Sequence, residues 1–505
     1  MKNNNNLSED KLRMAIGGVN PALIEESKPD MAKTYTSAST ETKKHVVRRW
    51  WIAPVAAALA IVITASAVLI PMFLKNGDPE VATGLPRVLA EANYPEQPKF
   101  KDRIENEEVQ RFYSALNLGR KYYGAGEGLE NFFGSLTSSF LSEESAKGEN
   151  TVFSPLNVYF ALSMLAETTG GSSRAQILEL IGSDSIETLR RQSKNVWLAN
   201  YRDLGITEST AGNSVWLNDN AVHTDGTPYE YKKECLDILA SEHFVSSFSG
   251  KMGDPAYTKL MKDWLSRETG GLLDEQIGQL KDDDPDLMMK MVSALYYKAG
   301  WESEFYDPAI PATRLFKGAK ENKVVTMMKS GYFGDCYFGE KFSAVYKDME
   351  GGDGKMLFIL PDEGLTPEDL LNDEKALEFI ITGQGADVYE RDVEMFIPEF
   401  DITSDRDLIE GLKKLGVTDC FDLMRADMSP LTDEGAYVGE ATNTVRIKVD
   451  KQGVVGAAYT IIMLEATSAA PVEHEKVIFT ADRPFIFTLL NDDGLPLFVG
   501  VVNQV

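Results

Sequence analysis

The chain of 505 residues carries only four histidines, His45, His223, His243 and His474, and they bound the chemistry it can perform. A serine or cysteine hydrolase needs a base held within hydrogen-bond reach of its nucleophile and oriented by a third group. No Gly-x-Ser-x-Gly, His-Glu-x-x-His or phosphate-cradling glycine-lysine motif occurs. Ser468 and His474 are close in sequence, but they share one stretch without rigid support, and His474 stands between Glu473 and Glu475, so the pair reads as solvated loop. Asp282, Asp283, Asp284 and Asp286 lack the glycine and closing glutamate of a calcium loop and read as a solvated acidic turn. Gly124, Gly126 and Gly128 follow no strand and open no βαβ unit, which excludes a dinucleotide fingerprint and leaves a flexible hinge. Cys235, Cys336 and Cys420 are odd in number and far apart, which fits buried small hydrophobes better than a disulfide framework or a zinc site. No catalytic residue, metal site or cofactor is assigned.

What remains is a conformational device. Between Gly453 and Pro471, the residues Val454, Gly456, Ala458, Thr460, Ile462, Leu464 and Ala466 recur at period two without a charge, while the one charge, Glu465, lies on the opposite face. Such a face can be buried as a strand, its small residues entering a narrow gap before the larger ones. A short buried helix fits the same run, and period alone leaves both readings open.

The residues that follow decide between them. Phe479-Thr480-Ala481-Asp482-Arg483-Pro484-Phe485-Ile486-Phe487-Thr488-Leu489 resembles, position for position, the C-terminal signature of the serpins, and Gly453-Val454-Val455-Gly456-Ala457-Ala458-Tyr459-Thr460 is similar to their reactive-loop hinge. Further matches occur in family order. They include Asn150 to Leu165, with its Ser154-Pro155 turn into an apolar helix, and Met291 to Phe305, with Trp301 at the end of a strand. The hairpin Phe342 to Asp348 and Lys355 to Pro361, joined by Glu350-Gly351-Gly352-Asp353-Gly354, continues the series. The resemblance covers roughly residues 129–505. It implies an α+β serpin fold, with a large, mostly antiparallel central sheet, additional sheets, about eight to nine helices and an exposed reactive-centre loop. Together with the charge-free run Trp50 to Leu74, it points to a bacterial-type, membrane-anchored member.

The resemblance implies a suicide substrate rather than an enzyme. A serine protease cuts the loop, the freed strand inserts into the sheet, and the acyl-enzyme is trapped as a covalent complex with a monomeric inhibitor. Counting from the hinge puts the reactive bond between Thr467 and Ser468, flanked by Ala466, Ala469 and Ala470. Counting back from Pro484 gives a later bond, so the window is Ala466 to Ala470. Small side chains suit an elastase-like or subtilisin-like pocket, and no Lys or Arg between Lys451 and Lys476 would serve a trypsin-like one. Lys451, Val455, Gly456 and Tyr459 depart from the family's usual residues, whereas Val454, the first to insert, is small and uncharged. Asn157, Ser293 and Asn443 stand where the family sets a hydrogen-bonded cluster beneath the sheet, and the expectation is a rewired cluster with Asn443 replacing an imidazole. Ser154 belongs to the same region, and Trp301 to the top of the sheet. A non-inhibitory serpin used as a binding or sensing module is the alternative.

The elements that must position this loop lie behind an appendage. Residues 1–49 read as a polar cytoplasmic tail. Trp50 to Leu74 contains no charge and is long enough to cross a bilayer, which takes about 20 apolar residues. Lys43, Lys44, Arg48 and Arg49 precede it, so the N-terminus is expected in the cytoplasm and the domain outside the cell. Residues 75–128, rich in charge, Pro and Gly with one helix near Asn106 to Leu116, read as an extracellular spacer before the domain at 129–505. A net charge of −27 argues against nucleic acid as a partner, and 43% hydrophobic residues supply a core.

Overall fold

The computed structural model describes residues 85–100, 108–220, 222, 227–285, 287–306, 312–352, 354–455 and 475–505. The expected tail, the membrane segment Trp50 to Leu74 and the loop residues 456–474, including Gly456, Ala457, Ala458, Tyr459, Thr460, Ala466, Thr467, Ser468, Ala469 and Ala470, lie outside them. Among the described residues no helix is long and apolar enough to cross a membrane.

The strands in chain order are β1 (Arg87–Ala90), β2 (Thr151–Phe153), β3 (Arg202–Asp203), β4 (Glu208–Asn218), β5 (Val245–Gly250), β6 (Met289–Gly300), β7 (Thr313–Lys317), β8 (Asn322–Phe338) and β9 (Phe342–Asp348). They continue with β10 (Lys355–Pro361), β11 (Asp387–Pro398), β12 (Phe400–Asp407), β13 (Thr442–Val449), β14 (Gly453–Val454), β15 (Lys476–Thr480), β16 (Phe485–Leu490) and β17 (Pro496–Val502). One sheet has the order β1-β5-β4-β6-β14-β13-β12, with β3 on β4; the other runs β15-β11-β8-β9-β10-β16-β17-β2, with β7 on β8. Only β4 with β5 and β11 with β15 run parallel, so the expected mostly antiparallel architecture holds. Eleven α-helices occur among the described residues, against the eight to nine expected; the surplus comes from short ones such as Asp274–Gln279, Pro367–Leu371 and Ile409–Lys414.

Local sequence explains these elements. β16 and β17 are buried at every position, so they read as unbroken apolar runs instead of alternating ones. The β9 to β10 hairpin turns on Gly351, Gly352 and Gly354, with φ of 77°, 72° and 124°, values that a side chain would oppose. The helices that bear on the site are α1 (Val109–Leu116), α2 (Glu130–Ala146), α3 (Pro155–Thr168), α4 (Gly171–Ile181), α5 (Ile186–Asn200), α6 (Lys233–Glu242) and α7 (Pro255–Glu268). Helix α3 starts with Pro155 and is capped by Ser154, whose Oγ accepts from the Asn157 amide. Only Ala161 of its residues is not fully buried, the pattern of a helix lying beneath a sheet.

Two expectations are corrected. The described part of the interval 75–128 is built onto the domain, not held away from it as a spacer. β1 pairs with β5, the Phe100 amide bonds the Leu204 carbonyl at 2.9 Å, and Phe100, Phe112 and Leu116 share a cluster with Leu204 and Ile206. Nor do the glycines at 124 to 128 form a hinge: the Gly124 amide donates to the Asp493 carboxylate at 2.9 Å, and a Cβ on Gly126 would lie 2.4 Å from Leu495. They allow close approach. The acidic turn is only partly solvated, since Asp283 is largely buried against Lys290 at 2.7 Å. All three cysteines are free and buried.

Candidate functional site

The strand leading to the loop enters a sheet that is open beneath it. After β13 the chain turns at Asp450, whose Oδ1 accepts from the amides of Gln452 and Gly453 at 3.0 and 3.3 Å, and returns as β14. β14 has two residues. Gly453 pairs with Gly300, while Val454 pairs with Ala299 on one side and with Val449 on the other. Val454 is fully buried there. Trp301 holds the turn, its indole N–H donating to the Asp450 carbonyl at 2.9 Å and its amide to the Gln452 carbonyl at 3.0 Å. The ring of Phe305 packs edge-on against Trp301, and the Lys347 ammonium lies 5.0 Å above the Phe305 ring. Burial pushes Lys347 down to about 8 despite the carboxylates of Asp348 and Glu302.

Below β14 the ladder stops. β6 pairs on its far side with β4, and β13 pairs on its far side with β12, but among the described residues no pairs join β6 to β13. Because Val454 faces both Ala299 and Val449, stepping back along each strand, 299 to 293 and 449 to 443, brings Ser293 and Asn443 to the same depth on opposite lips of this seam. Between the lips, over α3, lies a cavity of about 80 Å³ lined by Asn157, Leu162, Met291, Ser293, Tyr437 and Asn443 among others. A water needs about 10–15 Å³ by the same measure, so this is more than a packing defect.

Val455, where the described chain leaves the sheet, has φ +63°, a left-handed conformation that is uncommon for any residue with a Cβ and worse for a β-branched one. Its amide still donates to the Lys448 carbonyl at 2.8 Å. Such a residue stores on the order of 1–3 kcal/mol of strain that an extended backbone would release.

The expected polar cluster is present with a different third member. The Ser293 hydroxyl lies 2.5 Å from Asn157 Oδ1 and 2.7 Å from Asn213 Oδ1, and Asn157 Nδ2 donates to the Ser293 carbonyl at 3.2 Å. Asn443 is buried on the opposite lip, and its side chain makes no hydrogen bond with a described residue. Asn213 on β4 takes the place expected for Asn443, because β4 lies beside β6 in the closed part of the sheet while β13 stands across the gap. Ser154 serves α3, its hydroxyl donating to the Leu497 carbonyl at 2.7 Å. From Asn213 the contacts continue inward. Its amide reaches the His243 carbonyl at 3.5 Å, and His243 Nε2 lies 3.3 Å from the buried Glu167 carboxylate, which Arg190 holds with two bonds of 2.7 and 2.9 Å. Burial opposes charge on Glu167, but the bonds from His243 and Arg190 outweigh it and keep its carboxyl down at about 2. Nothing in the sequence flagged Asn213 or Glu167, whose partners are brought together only by the fold.

The far end of the loop is pinned as well. β15 lies parallel to β11, Lys476 and Lys329 both pair with Glu394, and Glu475 pairs with Arg391 at 3.0 Å. A free strand edge thus receives the chain just after residue 474. No group of metal-ligating side chains occurs among the described residues.

The family model described as Serpin (serine protease inhibitor) matches residues 128–505. Serpin B11 of Mus musculus is 27% identical over 370 residues, covering 70% of this chain and 92% of that protein. Among solved structures, the thermophilic serpin tengpin in its native state aligns with TM-score 0.64 at 23% identity, covering 83% of this chain and 100% of that one. The same protein in its latent state aligns with TM-score 0.61 over 75% of this chain and 97% of that one.

Proposed function

The chain belongs to the serpin family, and from that premise we propose that it is a suicide-substrate inhibitor of serine proteases, cut between Thr467 and Ser468 within the window Ala466 to Ala470. The observation that carries this reading is the unpaired seam between β6 and β13, entered at its top by the first two residues of the loop. A protease attacks the Thr467 carbonyl, its serine becoming esterified to Thr467 while the new amino terminus at Ser468 departs. Once the bond is broken, Val455 relaxes to extended geometry, and Gly456, Ala458 and Thr460 follow Val454 down the seam with the larger Ile462 and Leu464 behind them. At about 3.3 Å per residue the acylated end travels about 46 Å. Roughly ten or more new backbone bonds, at about 1 kcal/mol each, together with the newly buried apolar face, supply the drive. The trapped enzyme is distorted before water completes hydrolysis. Small residues around the bond favour an elastase-like or subtilisin-like enzyme.

The proposal places the domain outside the cell, tethered as a monomer by Trp50 to Leu74 with residues 1–49 in the cytoplasm, supported by the charge-free run and the basic residues before it. The inhibitory reading is tested by mixing the protein with an elastase-like protease and running a denaturing gel. It predicts an adduct that survives denaturation and a released peptide whose mass begins at Ser468. Quantitative cleavage without adduct would leave the chain a substrate or a non-inhibitory module.

A further inference from the structure

Away from the seam, over β5, β4 and β6, lies a cleft of about 430 Å³ that the proposed inhibitory cycle does not use. Its floor is the ladder step Thr210↔Tyr296 between β4 and β6; one wall is Tyr201, just after α5, another is Glu268 at the end of α7, and Glu91 to Tyr94 cross over it. Two glycines let the groups around it pack closely. A Cβ on Gly212 would come within 2.8 Å of the Glu268 side chain, and one on Gly270, whose φ is +55°, within 2.6 Å of the Tyr296 ring.

The polar groups in this cleft are not all spent within the protein. Tyr201 and Tyr296 are more than nine-tenths buried, yet neither hydroxyl has a hydrogen-bond partner among the described residues. Burial, with Glu268 beside one and Glu208 beside the other, pushes both phenols up to about 12, so both remain neutral donors and acceptors at physiological pH. Glu268 gives one oxygen to Arg267 at 2.9 and 3.0 Å and leaves the other only a 3.5 Å contact with the Tyr94 hydroxyl. Glu208 reaches Lys298 only at 3.8 Å, and Glu91 makes no ion pair among the described residues. The rings of Tyr94 and Tyr201 lie 5.6 Å apart at 49°; Tyr201 stacks on Trp197 at 4.6 Å, and the partly buried Tyr94 supplies the aromatic surface beside these carboxylates.

We propose that this cleft is a binding site for a small organic cation, an alkylammonium or guanidinium compound, seated between Tyr94, Tyr201 and Tyr296 and neutralised by Glu268, Glu208 and Glu91. Carboxylates supply the charge, and aromatic faces favour an organic cation over a strongly hydrated inorganic one. The site is independent of the protease reading. Its natural rival is diffuse attraction of cations to a chain of net charge −27, and the experiment must separate the two.

Titration calorimetry of the full chain with spermidine, at fixed ionic strength, is the test. The proposal expects one saturable site per chain, little competition from magnesium, and a Kd raised about tenfold or more by Glu268→Gln. Because Glu268 is buried and its variant could misfold, the pair Tyr201→Phe with Tyr296→Phe provides a milder change, expected to weaken spermidine severalfold while the near-ultraviolet circular dichroism stays that of a folded chain. Many weak sites unaffected by these variants, or equal competition by magnesium, would overturn the proposal. Inhibition of a protease is not part of the readout, so failure here leaves the inhibitory reading standing.

Discussion

The two sides of β6 differ in one respect that organises the molecule. Toward β4 its ladder runs unbroken from Lys298↔Glu208 to Met289↔Leu217, backed by the polar chain Ser293, Asn213, His243, Glu167 and Arg190. Toward β13 it has two pairs, both made by β14, and then a cavity. The apolar residues that could close the second side belong to the loop itself. If the loop fills the open side after cleavage, as proposed, such a sheet stores its missing strand in sequence, and its native state is held by a barrier, not by having reached its lowest energy.

The sharpest way to break this comparison is to obstruct the open side. Val454→Arg places a charge where the wild-type side chain is sealed between Ala299 and Val449, at a penalty of several kcal/mol. Cleavage by an elastase-like protease should proceed while the number of inhibitor molecules consumed per trapped enzyme rises at least about tenfold. An unchanged ratio would mean that Val454 is not the leading residue of insertion.

The closed side is tested next. Arg190→Leu strands the Glu167 carboxylate in the interior and should lower unfolding stability by about 3–5 kcal/mol, read from denaturant midpoints. The same carboxyl sets an acid limb. It titrates at about 2 in the fold against an ordinary 4.5, so its stabilisation is complete above 4.5 and is lost as pH falls toward 2. Arg190→Leu should flatten that limb, and an unaltered pH profile would count against the assignment.

A smaller contrast sets the two lips of the seam against each other. Ser293→Ala removes the hydroxyl that joins Asn157 to Asn213 and should cost about 1–3 kcal/mol. Asn443→Ala, at equal depth across the gap, should change stability by much less. Equal losses would place Asn443 in the polar cluster after all. Smallest of all, Glu394→Gln loosens both lysines that clamp β15. An intact loop can enter the seam fully only if β15 peels away, so slow spontaneous loss of activity should quicken by about two- to fivefold, the scale of a partly exposed ion pair.

Much of this was legible in the sequence because it depended on local signals. The run Ser154-Pro155 before mostly apolar residues gave α3 and its cap, and Gly351, Gly352 and Gly354 fell where the hairpin needs positive φ. What stayed hidden required two distant segments at once. Asn213 and Ser293 meet only because β4 and β6 are adjacent, so the cluster was assigned to Asn443 instead. Residues 75–128 read as spacer because Pro, Gly and charge dominate them. The contrary signal was aromatic: Tyr94 lies 5.1 Å from the ring of Trp197, and Phe100 packs edge-on with Phe112 at 5.3 Å. Gly124 and Gly126 looked permissive where the fold uses them for contact with Asp493 and Leu495.

The central claim, that the open side of β6 is filled by the loop once it is cut, is tested most directly by thermal unfolding of the protein before and after cleavage by a catalytic amount of elastase-like protease. Filling the seam should raise the melting temperature by tens of degrees, as expected when roughly ten backbone bonds and an apolar face are added to one domain. A cleaved form that melts at or below the temperature of the intact chain would contradict the account.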